Sequence, residues 1–138
     1  MKQREKIIEG HKVTFAAAET LLHVRFKDQV TYDSLSAFAE TLYNDPDYNQ
    51  NWDILIEMRL ATFDLSFSDL LNYTNGIAKD PRRILGATAI VSPSLLHFGI
   101  GRMYGSIVGD RLGKVRIERA LDPALAWLQT QRDLRKKT

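Results

Sequence analysis

Apolar positions along this chain change their period several times, and each change marks a predicted element. Residues 6–9 and 13–15 are short strand-like pieces separated by Glu9-Gly10-His11. After Ala16-Ala17-Ala18 the stretch 21–26 alternates, with Leu22, Val24 and Phe26 on one side and His23 and Arg25 on the other. Period two is the signature of a strand with one wetter face. From Thr31 the apolar positions move to Leu35, Phe38, Ala39, Leu42 and Tyr43, the stripe of an amphipathic helix over 31–44. Asn44-Asp45-Pro46-Asp47 ends it, because proline cannot continue the helix and Asn and Asp favour turns.

Residues 52–58 form the next predicted strand, and its centre Ile54-Leu55-Ile56 reads as buried on both faces. Ser66 and Asp69 have the spacing of a capping box, and Phe67, Leu70, Leu71, Thr74, Ile77 and Ala78 form the stripe of a second helix that ends before Asp80-Pro81. The β-branched run 84–91 suits an inner strand. Ser92-Pro93 then supplies an N-cap and a first-turn proline for a glycine-studded third helix, which returns through Lys114-Val115-Arg116-Ile117 into another strand. Leu121-Asp122-Pro123 repeats the cap-and-proline device before a last helix carrying Leu125 and Leu128 on one face, and the basic tail 132–138 is expected to fray.

The element order is therefore β β α β α β α β α. Strands alternating with helices imply a central, mostly parallel α/β sheet with about four helices, and the opening pair adds an antiparallel edge. No repeat, low-complexity tract or linker interrupts residues 1–138, so one domain is expected.

The third helix is apolar or small on both sides. Leu96, Ile100, Met103 and Ile107 share one face, while Gly101, Gly105 and Gly109 lie near the other with Phe98, Val108 and Leu112. Such a helix is expected to lie between the sheet and something else: a neighbouring helix, a ligand, or a second copy in a homodimer. Each interior glycine costs about 1 kcal/mol relative to alanine, which makes this helix a candidate moving part. Gly99-Ile100-Gly101 does not extend to a dinucleotide fingerprint, since the third glycine falls one place late and the motif lies within a helix instead of the turn before it.

Composition narrows the classes. Apolar residues make up 44% and charged residues 26%, ordinary for a globular protein, and no apolar run approaches the roughly 18 residues of a membrane span. Cysteine is absent, which removes disulfides and thiolate chemistry. The start carries no apolar signal region, so a cytoplasmic protein is expected. Residues 1–78 hold 7 basic and 12 acidic side chains, and residues 79–138 hold 12 and 5, a swing from −5 to +7. The halves either complement each other or offer a basic face to an anionic lipid or acidic partner. The cations are scattered without interleaved aromatics, which argues against nucleic acid.

Chemistry-bearing motifs are few. His11, His23 and His97 have no metal-ligand spacing, and no nucleophile elbow, HExxH or telling pair of carboxylates occurs. No catalytic residue, metal or cofactor is expected. Glu57 and Arg59 sit at the end of the predicted central strand on one side, as a salt bridge or a ligand contact. Ser66 and Ser68 open the second helix, where its dipole would favour a phosphoryl group.

Asn44-Asp45-Pro46-Asp47-Tyr48, Trp52-Asp53-Ile54-Leu55-Ile56, Phe98-Gly99-Ile100-Gly101-Arg102-Met103-Tyr104 and Ala124-Leu125-Ala126-Trp127-Leu128, taken with the element order, resemble the SpoIIAA-like STAS/SEC14 family of small bacterial proteins over residues 21–128. The resemblance implies a βα superhelix, shared by anti-sigma-factor antagonists and by SEC14-type (CRAL-TRIO) lipid-binding domains. In the antagonists a serine opening the helix after a central strand is phosphorylated and controls a protein partner; Ser66 and Ser68 occupy about that place, without an Asp-Ser-Ser-Gly type signature. The SEC14-like relatives hold an apolar ligand between sheet and mobile helices, for which Phe63, Phe67, Phe98, Gly101, Met103 and Tyr104 are the candidates here.

The leading expectation is a non-enzymatic protein holding a small apolar or lipid-like ligand between the second and third helices, its head group near the basic half. The alternative is a protein-interaction module in anti-sigma-factor-antagonist-like signalling, switched near Ser66 or Ser68.

Overall fold

The computed structural model describes residues 3–92 and 114–137. Three strands precede the first helix, one more than the predicted order: β1 (Arg4–Ile8), β2 (His11–Ala16) and β3 (Leu21–Thr31). Glu9 and Gly10 join β1 to β2 with φ of 50° and 81°. Two successive residues at positive φ give the hairpin turn whose twist matches its flanking strands, and glycine adopts that conformation without a Cβ penalty. A short 3-10 helix, Ala17–Glu19, carries the chain into β3.

Helix α1 (Tyr32–Tyr43) follows β3, strand β4 (Asp53–Asp64) follows α1, and helix α2 (Phe67–Lys79) follows β4. Strands β5 (Thr88–Val91) and β6 (Val115–Glu118) and helix α3 (Leu121–Lys136) complete the described elements. The predicted glycine-studded helix falls on 93–113 and lies outside the described residues. Among the described residues the sheet has six strands in chain order. The pairs β1/β2 and β2/β3 are antiparallel, and β3/β4, β4/β5 and β5/β6 are parallel, so the opening strands do form an antiparallel edge.

Both expected helix starts at Thr31 and Ser66 are capping boxes. The Thr31 hydroxyl accepts from Ser34 N–H at 3.2 Å while Ser34 Oγ accepts from Thr31 N–H at 2.8 Å. Ser66 and Asp69 make the same reciprocal pair at 3.0 Å each. Each box satisfies two donors that the first turn leaves unpaired. The last helix departs from its expected cap: it begins at Leu121 after Ala120, which makes no side-chain cap bond. Asp122 and Pro123 therefore sit inside the first turn, where proline's missing N–H has no intrahelical acceptor to lose. The helix also runs on through Lys136, into the segment expected to fray.

Strand lengths differ from the expected ones for local reasons. Strand β4 continues past Met58 to Asp64 because its alternation breaks at a bulge and then resumes. Arg25 pairs with Glu57 but Lys27 pairs with Leu60, so β4 carries one extra residue there. Strand β5 starts at Thr88, four residues later than the run 84–91 suggests. The backbone at Gly86 lies so close to Trp52 that a Cβ would sit 2.4 Å from the Trp52 carbonyl oxygen. Ile84 to Ala87 thus approach β4 as a loop, with Leu85 N–H donating to Gln50 O and Ile54 N–H to Ala87 O.

Alternation across the sheet builds two cores. On one face Val13, Phe15, Leu22, Val24, Phe26 and Ile54 pack against Leu35, Phe38 and Leu42 of α1. On the other, Leu55, Ala87, Ala89 and Val91 pack against Ala124 and Leu128 of α3. Ala87, just before β5, and Ala89 on it are small and let α3 approach closely. Ser92, expected to cap the next helix, is fully buried, and its hydroxyl has no partner among the described residues.

Candidate functional site

Between the first sheet face and helices α1 and α2 lies an apolar cavity of about 120 Å³. Val24 and Phe26 of β3, Ile54, Ile56 and Met58 of β4, and Thr88 and Ile90 of β5 form its floor. Leu35, Phe38, Ala39 and Leu42 of α1 and Leu70, Tyr73 and Ile77 of α2 form its roof. The β4 bulge contributes directly: the extra residue returns Ala61 and Phe63 to this face, and Phe63 and Leu65 close one end.

A set of edge-on rings gives the cavity a stiff wall. Phe26 meets His11, Phe38 and Phe63 with ring centroids 4.9, 5.1 and 5.8 Å away, and His11 meets Phe38 at 5.5 Å. Such T-shaped pairs are preferred over face-to-face stacking and fix the spacing of the rings. His11 is only 5% exposed. Its Nδ1 accepts the Lys27 backbone N–H at 3.1 Å, so the neutral ring carries its proton on Nε2. Burial lowers its pKa below the ordinary imidazole value, with smaller opposing effects from Asp28 and Glu9 and a lowering one from Lys27.

The opposite face carries a polar cluster. Glu57 is 5% exposed, and its Oε2 lies 2.5 Å from His23 Nε2 and 3.2 Å from Arg25 Nε. Arg25 Nη2 reaches His23 Nδ1 at 3.2 Å. Guanidinium groups only donate, so Nδ1 is the acceptor and Nε2–H donates to Glu57. Both ring nitrogens are thereby engaged. Burial lowers the His23 pKa; the Glu57 hydrogen bond opposes this and the Arg25 charge reinforces it. Arg59 is a looser partner, with Nε 3.9 Å from Glu57 Oε1 and a largely exposed side chain. The expected Glu57–Arg59 pair is present, but the close partners come from β3, which i, i+2 spacing could not reveal.

Of the expected ligand residues, Phe63 and Phe67 are described. Phe63 lines the cavity. Phe67, in the first turn of α2, is 56% exposed and is not among the lining residues. Phe98, Gly101, Met103 and Tyr104 lie outside the described residues, so the expected site between the second and third helices is only half described. Ser66 is exposed, with its hydroxyl engaged in the cap, and Ser68 is exposed beside it. Phe26, Phe38 and Tyr73 also line the cavity and were missed as site residues: their apolar spacing signals a buried face, while a hollow within that face has no sequence signature. Among the described residues no three His, Asp or Glu side chains gather to hold a metal.

Size limits what the cavity can take. An engineered apolar cavity of ~150 Å³ holds benzene, whereas drug-sized ligands occupy about 300–1,000 Å³. At about 120 Å³ the cavity suits a compact apolar group.

No family model and no curated protein matches the chain. A solved structure does: the crystal structure of an uncharacterized protein from the DUF3478 family with a SpoIIAA-like fold, from Shewanella loihica PV-4. The two are 14% identical, 92% of each chain is covered, and the TM-score is 0.51. The fold of this chain is SpoIIAA-like, with a mixed six-stranded sheet and three α-helices among the described residues. No described helix is long and apolar enough to cross a membrane.

Proposed function

We propose that this protein works by binding, without chemical conversion, and that its ligand is a small apolar molecule seated between the sheet and helices α1 and α2. The observation that supports this most strongly is the cavity of about 120 Å³, whose described lining is aliphatic and aromatic apart from Thr88 and the hydroxyls of Tyr43 and Tyr73. Well-packed cores leave few voids larger than a water molecule, and an apolar hollow of this size forgoes contacts that an apolar guest would restore. Native mass spectrometry of protein purified from its own host, and binding of host lipid extracts, test the proposal. A bound apolar mass that is lost in Ala39→Leu, which fills the void, is the expected result. No bound species by either method contradicts it.

A second reading has its own support at the start of α2. Phe67 and Leu71 are 56% and 37% exposed beside the exposed Ser68, an apolar patch next to a modifiable hydroxyl. A protein partner controlled by phosphorylation at Ser66 or Ser68 would dock there. A phosphomimetic at Ser68 that leaves capture of every recovered partner unchanged counts against this version.

A further inference from the structure

Part of the wall of the cavity beneath α1 and α2 is a patch of rings. Phe26 of β3, Phe38 of α1 and Phe63 of β4 all line it. The Phe26 centroid lies 5.1 Å from that of Phe38 and 5.8 Å from that of Phe63, with the ring planes inclined at 61° and 86°. Three elements thus deliver rings to one place, and the β4 bulge is what turns Phe63 toward it.

Two conditions on a guest follow from this lining. No charged side chain is among the described lining residues, and a buried charge without a partner is costly, so the seat suits a neutral molecule. The ring patch sets the second condition. An aromatic ring has a negative face and a positive edge, and mutually inclined rings present both. An aromatic guest offers the matching counterpart to either one and extends the inclined arrangement by a further ring. A saturated guest of equal size gains contact area alone. Met58, 4% exposed, also lines the cavity, and a thioether sulfur is attracted to ring edges. Size agrees, since about 120 Å³ approaches the ~150 Å³ of an apolar cavity that holds benzene.

We infer that the ligand of this cavity is a neutral compound bearing a single aromatic ring, seated against Phe26, Phe38 and Phe63. The inference rests on the apolar-ligand proposal above and narrows the chemistry of the ligand from apolar to aromatic. It selects a ring over a lipid-like chain, because a chain would leave the edges and faces of the three phenylalanines without a counterpart.

Equilibrium binding of benzene, cyclohexane and n-hexane to the unmodified protein tests this, each affinity being taken relative to that probe's own transfer from water to alkane. Benzene is expected to lead both saturated probes by about fivefold on that scale. In Phe63→Leu, at a half-buried position, the lead should shrink to about twofold while cyclohexane still binds. A lead that persists undiminished both there and in Phe38→Leu overturns the assignment to the ring patch. Cyclohexane or n-hexane binding as well as benzene to the unmodified protein overturns the aromatic inference and leaves the cavity proposal standing. Failure of all three probes to bind overturns both.

Discussion

Arg135 Nη2 lies 2.9 Å from Oδ2 of Asp53, joining the last turn of α3 to the first residue of β4. The other carboxylate oxygen of Asp53 accepts the Ala87 backbone N–H at 2.8 Å. Asp53 has a side chain only 1% exposed, whereas Arg135 is 48% exposed. A buried carboxylate is tolerable when both oxygens are satisfied, and here a helix, a strand and a loop each depend on it.

Removing the two partners should therefore cost unequal amounts. Asp53→Ala leaves the Ala87 N–H and Arg135 without their acceptor and is expected to destabilise by about 3 kcal/mol. Arg135→Met, at a half-exposed position, should cost about 1 kcal/mol. Urea unfolding checks this through the shift in midpoint at unchanged slope. A larger loss from Arg135→Met than from Asp53→Ala would show that Asp53 is not the anchor.

Two glycines give opposite expectations. At Gly86 a Cβ would lie 2.4 Å from the Trp52 carbonyl oxygen and 2.6 Å from Asp53 Oδ1, and backbone cannot yield cheaply. Gly86→Ala is expected to lose about 2 kcal/mol or more. Gly76 lies in α2 with open space around it. Gly76→Ala should gain up to about 1 kcal/mol through helix propensity. Thermal midpoints moving in the same direction for both variants would contradict the packing described.

The pH dependence follows from His11 and His23, whose folded pKa values both lie below the ordinary imidazole value of 6.5, chiefly through burial. As pH falls through that value the unfolded chain takes up protons that the folded protein resists. Stability is thus fully present above 6.5 and declines as the pH drops below it. Around His11 the charged groups are Asp28, Glu9 and Lys27; around His23 they are Glu57 and Arg25. The urea midpoint should fall between about pH 7 and about pH 5, and His11→Gln, which loses the titrating ring, should flatten that fall. A midpoint that rises on acidification over this range would contradict the burial of both rings as neutral groups.

Much of this architecture was legible from local pattern. The stripe from Leu35 to Tyr43 and the capping pairs at Thr31 and Ser66 located α1 and α2 closely, because helix periodicity and caps are short-range properties. What depends on contacts between strands was hidden. The β4 bulge shifts the alternation by one residue, so the strand reads as ending at Met58 although it continues to Asp64. Gly86 sets the start of β5 through the carbonyl of Trp52, a neighbour 34 positions away. Glu57 looked like the partner of Arg59, yet parallel pairing of β3 with β4 brings it to His23 and Arg25. Of the expected aromatic residues the described two differ, with Phe63 lining the cavity and Phe67 exposed.

The most direct measurement is an isoleucine methyl NMR titration with benzene. Ile54, Ile56, Ile77, Ile84 and Ile90 line the cavity, while Ile7 is 64% exposed at the sheet edge and serves as the control. Saturable shifts of the lining methyls with Ile7 unmoved, abolished in Ala39→Leu, are the predicted result. Shifts that grow without saturation, or that include Ile7 equally, would contradict a ligand cavity beneath α1 and α2.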